Sequence, residues 1–352
     1  MDPFTAHLNQ VHVRFGTGMD GVVGEEIKRL GLTKVLMLST PQQAEDAAKL
    51  AKVLGEVCCG IFSQATMHTP VDVTNAAISQ IVRLNADGLV SFGGGSTTGL
   101  GKAIALRTGL PQIAVPTTYA GSEATPILGQ TEAGKKTTLR DAAVLPSIIV
   151  YDVARTATLP LQMTMTSGLN ALAHAVAALQ AQDASPISDM MAQAGIDAMI
   201  PALRRLRTDL EDPTGRSDAL FAAWMCGTVL GQVTMSLHHK LCHVLGGTFD
   251  LPHSETHSIM LAHAAAFNSP AVTSRFDPLR DALKDDDVGS GLAALAADLG
   301  VPTALRDLGM PEAGIDRAAD LAMDAAYWNP RPLDRGAIRD LIARAWAGEP
   351  PE

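Results

Sequence analysis

Six of the ten histidines fall between positions 238 and 263, a density that asks for a chemical reason. Asn170 and His174 are four residues apart, His239 and His243 repeat that spacing, and His253 follows Pro252. A spacing of four puts both side chains on one face of a helix. Three helices would then each aim an imidazole at one point. Such a group could hold a divalent metal if a fourth ligand were supplied. It could equally donate hydrogen bonds and protons, because imidazole titrates near working pH. Lys240 lies beside these histidines on an otherwise apolar stretch. An isolated lysine there offers a cation to an acidic ligand.

A second group of residues has the types that hold phosphates. Gly93-Gly94-Gly95-Ser96 stands between a strand signal and a helix signal. Glycines let a backbone approach a pyrophosphate closely, and a helix start offers unpaired N–H groups and a positive dipole end. The run departs from the GxGxxG fingerprint. A loop from Val115 to Glu123 carries Thr117, Thr118, Tyr119 and Ser122 directly after a strand signal, where hydroxyls commonly face a cofactor. The strand ending at Ser39-Thr40 brings no acid for a ribose 2′-hydroxyl, which leaves NADPH open beside NADH.

The elements that must position these groups follow from periodicity. Short apolar runs at 34–39, 57–62, 88–92 and 112–115 read as buried strands, alternating with helices at 41–54, 71–84 and 97–107. That alternation predicts a parallel sheet covered by helices. Beyond about residue 152 the texture turns to alanine, leucine and methionine at helical spacing. Helices are predicted at 167–179, 186–207, 217–245, 253–267 and 289–299, with Gly246-Gly247 stopping one of them. The expected division is an α/β dinucleotide-binding domain over 1–155 and an all-helical domain over 156–352, with a ligand in the cleft between them.

Composition narrows the function classes. With 352 residues, 47% hydrophobic and 18% charged, the chain suits a compact two-domain enzyme rather than a disordered protein. A net charge of −10 argues against a nucleic-acid partner. Cys58, Cys59, Cys226 and Cys242 form no disulfide or zinc-knuckle pattern. MDPFTAHLNQ is not a signal peptide, and no run reaches the roughly 20 apolar residues of a membrane span. A cytoplasmic location and no membrane partner are expected.

The histidine pattern resembles the iron-containing alcohol dehydrogenase superfamily, whose helical domain supplies DxxxH, then HxxxH, then a histidine ten residues on. Here these read Asn170…His174, His239…His243 and His253; the GGGS turn, PTTYAGSEATP (116–126) and NPRP (329–332) also match, so the likeness covers nearly the whole chain. The resemblance implies a dehydroquinate synthase-like fold, with the family's metal ligands at Asn170, His174, His239 and His253. It places His243 near the nicotinamide, and Ser39, Thr40, Gly94, Gly95, Ser96, Thr117, Thr118 and Ser122 around the cofactor.

Asn170 replaces an anionic ligand with a neutral carbonyl, which weakens the attraction for a divalent cation. With YAGSEATPILGQTE and LHHKLCHVLGGTFDLPHSETH, it looks like the maleylacetate reductase branch. That branch reduces a conjugated double bond to give 3-oxoadipate in aromatic-compound degradation. The expected cofactor is NADH, with NADPH open and no metal; a homodimer is implied. His243 is the expected proton donor, with His239 and Lys240 as further donors and His174 and His253 shaping the old metal pocket. Tyr119 and Ser122 would add hydroxyls, and Arg331 would anchor the helical domain. Lys135, Lys136 and Arg140 read as a solvated hairpin. Two alternatives stay open: an iron- or zinc-dependent alcohol or polyol dehydrogenase, and a non-redox enzyme of the dehydroquinate synthase type.

Overall fold

The computed structural model describes residues 4–6, 8–324 and 326–352, with the side chain of Lys135 left out. The reading of Lys135 as solvated, and part of the leader-peptide reading at residues 1–10, therefore lie outside the described residues. The chain forms two compact units, Asn9–Leu159 and Pro160–Glu352, the second also taking in the described residues ahead of Asn9.

The first unit contains β1 (His12–Gly16), α1 (Asp20–Arg29), β2 (Val35–Leu38), α2 (Ala44–Leu54), β3 (Cys58–Phe62) and α3 (Val71–Leu84). It continues with β4 (Gly88–Gly93), α4 (Gly95–Thr108), β5 (Gln112–Pro116), the antiparallel hairpin β6 (Ile127–Glu132) and β7 (Lys135–Arg140), and β8 (Ile148–Asp152). Six strands form one parallel sheet in the order β1-β8-β5-β4-β2-β3. Alternate residues of its strands feed opposite faces. Val35, Met37, Val90, Phe92 and Ile113 pack with Val23, Ile27 and Leu50 of α1 and α2. Leu36, Leu38 and Leu89 pack with Ala77, Ile81, Leu100 and Ile104 of α3 and α4. A strand buried on both faces must be apolar throughout, as VLML is. From β2 the chain moves out to β3, then returns to the other side of β2 as β4. The carboxyl ends of β2 and β4 therefore flank a topological switch point, where such sheets bind ligands.

The second unit is helical: α5 (Leu161–Leu179), α6 (Pro186–Thr208), α7 (Pro213–Leu230), α8 (Leu237–Phe249), α9 (His253–Val272), α10 (Asp277–Leu283), α11 (Val288–Leu299), α12 (Gly314–Met323) and α13 (Arg335–Ala347). The single helix predicted over 217–245 is two helices. Thr234 is drawn out of line by Asp183, which accepts from its N–H at 2.9 Å and its hydroxyl at 2.7 Å. Gly246-Gly247 does not stop α8 either. The helix runs through both to Phe249, and Asp250, in the left-handed region at φ 54°, ends it. α5 is buried along almost its whole length, so its polar residues Asn170 and His174 lie in the interior. No helix among the described residues is long and apolar enough to cross a membrane.

Candidate active site

The glycine turn of the first unit is shaped by what it touches. Gly93 closes β4 at φ 152°, and a Cβ there would stand 2.4 Å from Thr97 Oγ1. A Cβ on Gly94 would stand 2.8 Å from Thr118 Cγ2, so the turn packs directly against the hydroxyl loop. Gly94 caps α4 without a side chain, Gly95 is exposed and Ser96 half-buried. The first N–H groups of α4 thus point out beside a side-chain-free turn, which is how helix ends receive phosphate.

Around this turn the hydroxyls divide. Thr117 is buried and its Oγ1 accepts from Gln43 Nε2 at 2.6 Å, while Thr118 is half-buried. Ser39 is fully buried and bonded to Ser63 at 2.9 Å, so it supports the end of β2 rather than facing a ribose; Thr40 is half-buried. Tyr119 is also fully buried. Ser122 is half-buried, and its carbonyl receives a buried cation that the residue pattern did not flag. Lys102 of α4 donates to the carbonyls of Ser122 (2.6 Å), Thr125 (2.6 Å) and Ile127 (2.9 Å) and to Thr125 Oγ1 (3.0 Å). Burial pushes its pKa down to about 7 against the attraction of Glu123. Four oxygens around one nitrogen nonetheless call for the three-donor ammonium, and we assign the charged form. Glu123, itself pushed up by burial, accepts from Tyr151 at 2.9 Å.

In the second unit α5, α8 and α9 bring six imidazoles together. The His174 ring stacks on His239 with centroids 5.6 Å apart. His257 lies 5.3 Å from His239, 4.9 Å from His238 and 4.3 Å from His253, and His243 lies 6.5 Å from His239. Asn170, His174, His238, His239 and His257 are buried, His243 and Lys240 half-buried, and His253 exposed. The Lys240 ammonium lies over the Tyr327 ring at 5.8 Å.

Burial controls the charge of this cluster. It pushes His174 down to about 3 and His238 to about 4, and drives His239 and His257 well below the usual imidazole range. These four are neutral at pH 7. His238 Nε2 meets the His257 carbonyl at 3.2 Å, but His238 Nδ1, His174 Nδ1 and both nitrogens of His239 and His257 find no protein partner. Leaving a buried polar atom unmade costs about 1–3 kcal/mol. Several together mark a place built to receive something else. His257 repeats the four-residue spacing after His253, a signal legible in sequence; His238 has none.

The family's metal positions lack an anionic ligand here. Among the described residues, the nitrogens that converge within 4.8 Å of one another belong to His238, His239 and His257, not to His174, His239 and His253. The donor set carries no anion, with Asn170 where the resemblance implies an aspartate, and iron(II) sites favour imidazoles together with a carboxylate.

Comparison with known proteins bears on both units. A family model described as iron-containing alcohol dehydrogenase matches residues 11–153, and one for the C-terminal part of the Fe-containing alcohol dehydrogenase family matches residues 164–346. The maleylacetate reductase of Rhizobium sp. (strain MTP-10005) is 53% identical over 352 residues, covering 100% of both chains. That of Burkholderia cepacia is 48% identical over 351 residues, again with 100% of both covered. The crystal structure of maleylacetate reductase from Agrobacterium tumefaciens superposes with a TM-score of 0.95 at 52% identity over 100% of both chains.

Proposed function

The chain belongs to the iron-containing alcohol dehydrogenase family, and from that premise we propose that it is an NAD(P)H-dependent maleylacetate reductase. Full-length identity of about half to enzymes of that name supports the reading. The observation that carries it chemically is the set of four buried, neutral imidazoles, His174, His238, His239 and His257, with ring nitrogens left unpartnered and no carboxylate among them.

The reaction needs little from a Lewis acid. A bound dihydronicotinamide would supply hydride to the alkene carbon β to the ketone. The π electrons move onto the ketone oxygen as an enolate, and a proton then adds at the α carbon to give 3-oxoadipate. Preorganised N–H donors stabilise such an oxyanion in a site that excludes water. Neutral His239 has N–H and lone pair both available for this, and His243, half-buried on the same helix, is the proposed proton donor. Lys240 offers the cation for a substrate carboxylate. Asn170, His174 and His253 shape the pocket without a metal, and the glycine turn with Thr118 and Ser122 holds the dinucleotide while Thr117, bonded to Gln43, supports the loop. A homodimer working in the cytoplasm completes the proposal.

The test is loss of NADH absorbance on adding maleylacetate, with and without prior EDTA treatment. Turnover indifferent to EDTA is expected. Turnover that depends on added iron or zinc, or alcohol oxidation in its place, would return the enzyme to the metal-dependent alcohol dehydrogenases.

A further inference from the structure

The three histidine-bearing helices are joined at one end by a ladder of amides, two buried and one half-buried, that uses none of the histidines. Asn329, in the segment after α12, sits at its centre. Its Oδ1 accepts from the backbone N–H of Leu237, the first residue of α8, at 3.3 Å and from Asn268 Nδ2 of α9 at 3.0 Å. Its Nδ2 donates to Asn268 Oδ1 and to the Arg331 carbonyl, both at 2.7 Å. Asn268 is fully buried and also donates to Gln180 Oε1, at the C-terminal end of α5, at 2.9 Å; Gln180 Nε2 then reaches Ser236 Oγ at 3.2 Å. Arg331 holds the segment to α9, donating to the Phe267 carbonyl at 2.9 Å with its guanidinium over the Phe267 ring.

The local chemistry of α8 makes this anchor necessary. Ser236 occupies its N-cap position but makes no side-chain cap, so the first N–H groups lack their usual local acceptor. Asn329, 92 residues away in sequence, supplies one instead. The first turn of α8 carries His238, His239 and Lys240, and a slip of that turn would displace all three together. Asn268 lies on the helix that carries His253 and His257, and Gln180 closes the helix that carries Asn170 and His174.

We propose that Asn329 is a positioning residue for the reaction, acting with Asn268 to set the register of α8 against α5 and α9 and thereby to aim His239 and Lys240. The role rests on the reductase reading, but its structural half can be measured without substrate. Asn329→Ala should speed amide hydrogen exchange at Leu237–Lys240 at least roughly tenfold, the protection lost when a helix start opens. It should lower kcat roughly tenfold to a hundredfold, as misplacement of reacting groups does, with KM for NADH unchanged. Asn329→Asp keeps the acceptor for Leu237 but sets a carboxylate oxygen where Nδ2 now donates to the Arg331 carbonyl and Asn268 Oδ1 at 2.7 Å, so exchange protection at Leu237 should return while the lost kcat returns only in part. Asn268→Ala combined with Asn329→Ala should be little worse than either alone, because both break one ladder.

Unchanged exchange at 237–240 with unchanged kcat would overturn the proposal. So would additive losses in the double variant, or a fall in activity that only tracks the folded fraction. Wild-type enzyme that fails to reduce maleylacetate, while the exchange result holds, would remove the proposed function and leave the anchoring intact.

Discussion

Lys102 and His239 are both titratable, both buried and both central to their own unit, yet the chain treats them in opposite ways. Lys102 is met by four oxygens within 3.0 Å, three of them carbonyls of the loop it holds. His239 is met by none: neither ring nitrogen has a protein partner, and its ring neighbours His174 and His257 lie 5.6 and 5.3 Å away, centroid to centroid. A satisfied buried group is architecture, because its interactions are complete before any ligand arrives. An unsatisfied group destabilises the fold until something fills it, and that cost is tolerated where function requires it.

The largest test of this contrast sets two substitutions against each other. Lys102→Met leaves three buried carbonyls and Glu123 without their cation, and should cost about 3–5 kcal/mol of unfolding free energy. His239→Leu removes two unmade polar atoms and should gain about 1–2 kcal/mol, while kcat falls roughly a hundredfold or more. Urea unfolding and steady-state kinetics on both variants decide it. Destabilisation of similar size in both would erase the distinction.

A smaller effect sharpens the same contrast by separating burial from function. His263 lies on α9 outside the cluster, buried with Nδ1 unpartnered, and burial followed by the repulsion of Arg344 lowers it to about 4. In the unfolded chain it titrates near pH 6.5. Below that pH the unfolded state takes up a proton that the folded state refuses. Its neutral form is therefore harmless above about pH 6.5, and stability is lost as pH falls from there toward 4. By pH 5 the penalty is about 2 kcal/mol. His263→Leu should remove that part of the acid sensitivity and leave kcat at pH 7 unchanged. Thermal unfolding at pH 7 and pH 5 measures the first, and a fall in kcat would show that His263 belongs to the site.

What the sequence disclosed follows the same division between local and distant causes. The strand–glycine–helix passage at 88–107 is legible because each part is local: an apolar strand, residues without Cβ, then helical periodicity. The i,i+4 histidine pairs are legible for the same reason. The break at 231–236 is not, because Asp183, 51 residues earlier, captures Thr234. β1 and β8 are not legible either; each is five residues long and acquires meaning only by pairing with a strand far away in the chain. Lys102 reads as an ordinary helix lysine until the loop twenty residues later folds onto it. Asn268 and Asn329, 61 residues apart, carry no spacing signal, yet their reciprocal amides tie two elements together.

Lys240 gives the last and smallest comparison, lysine against lysine. Where Lys102 is enclosed by oxygens, the Lys240 ammonium is half-buried over the Tyr327 ring, with no carboxylate partner among the described residues. A ring face holds a cation by only about 0.5–1 kcal/mol at such a site. Beside it the Tyr327 hydroxyl is buried without a partner, and burial raises its pKa to about 12, so it remains a hydrogen-bond donor. A carboxylate arriving there would meet a cation that nothing else neutralises and a phenol already desolvated. Charge-assisted bonds of this kind contribute about 1.5–3 kcal/mol, part of which offsets desolvation of the incoming anion. Lys240→Gln removes the charge and keeps a donor on a shorter side chain, so KM for maleylacetate should rise about tenfold, equivalent to about 1.4 kcal/mol. KM for NADH should stay where it was. If both rise together, Lys240 holds the helix rather than the substrate, and the two lysines are alike after all.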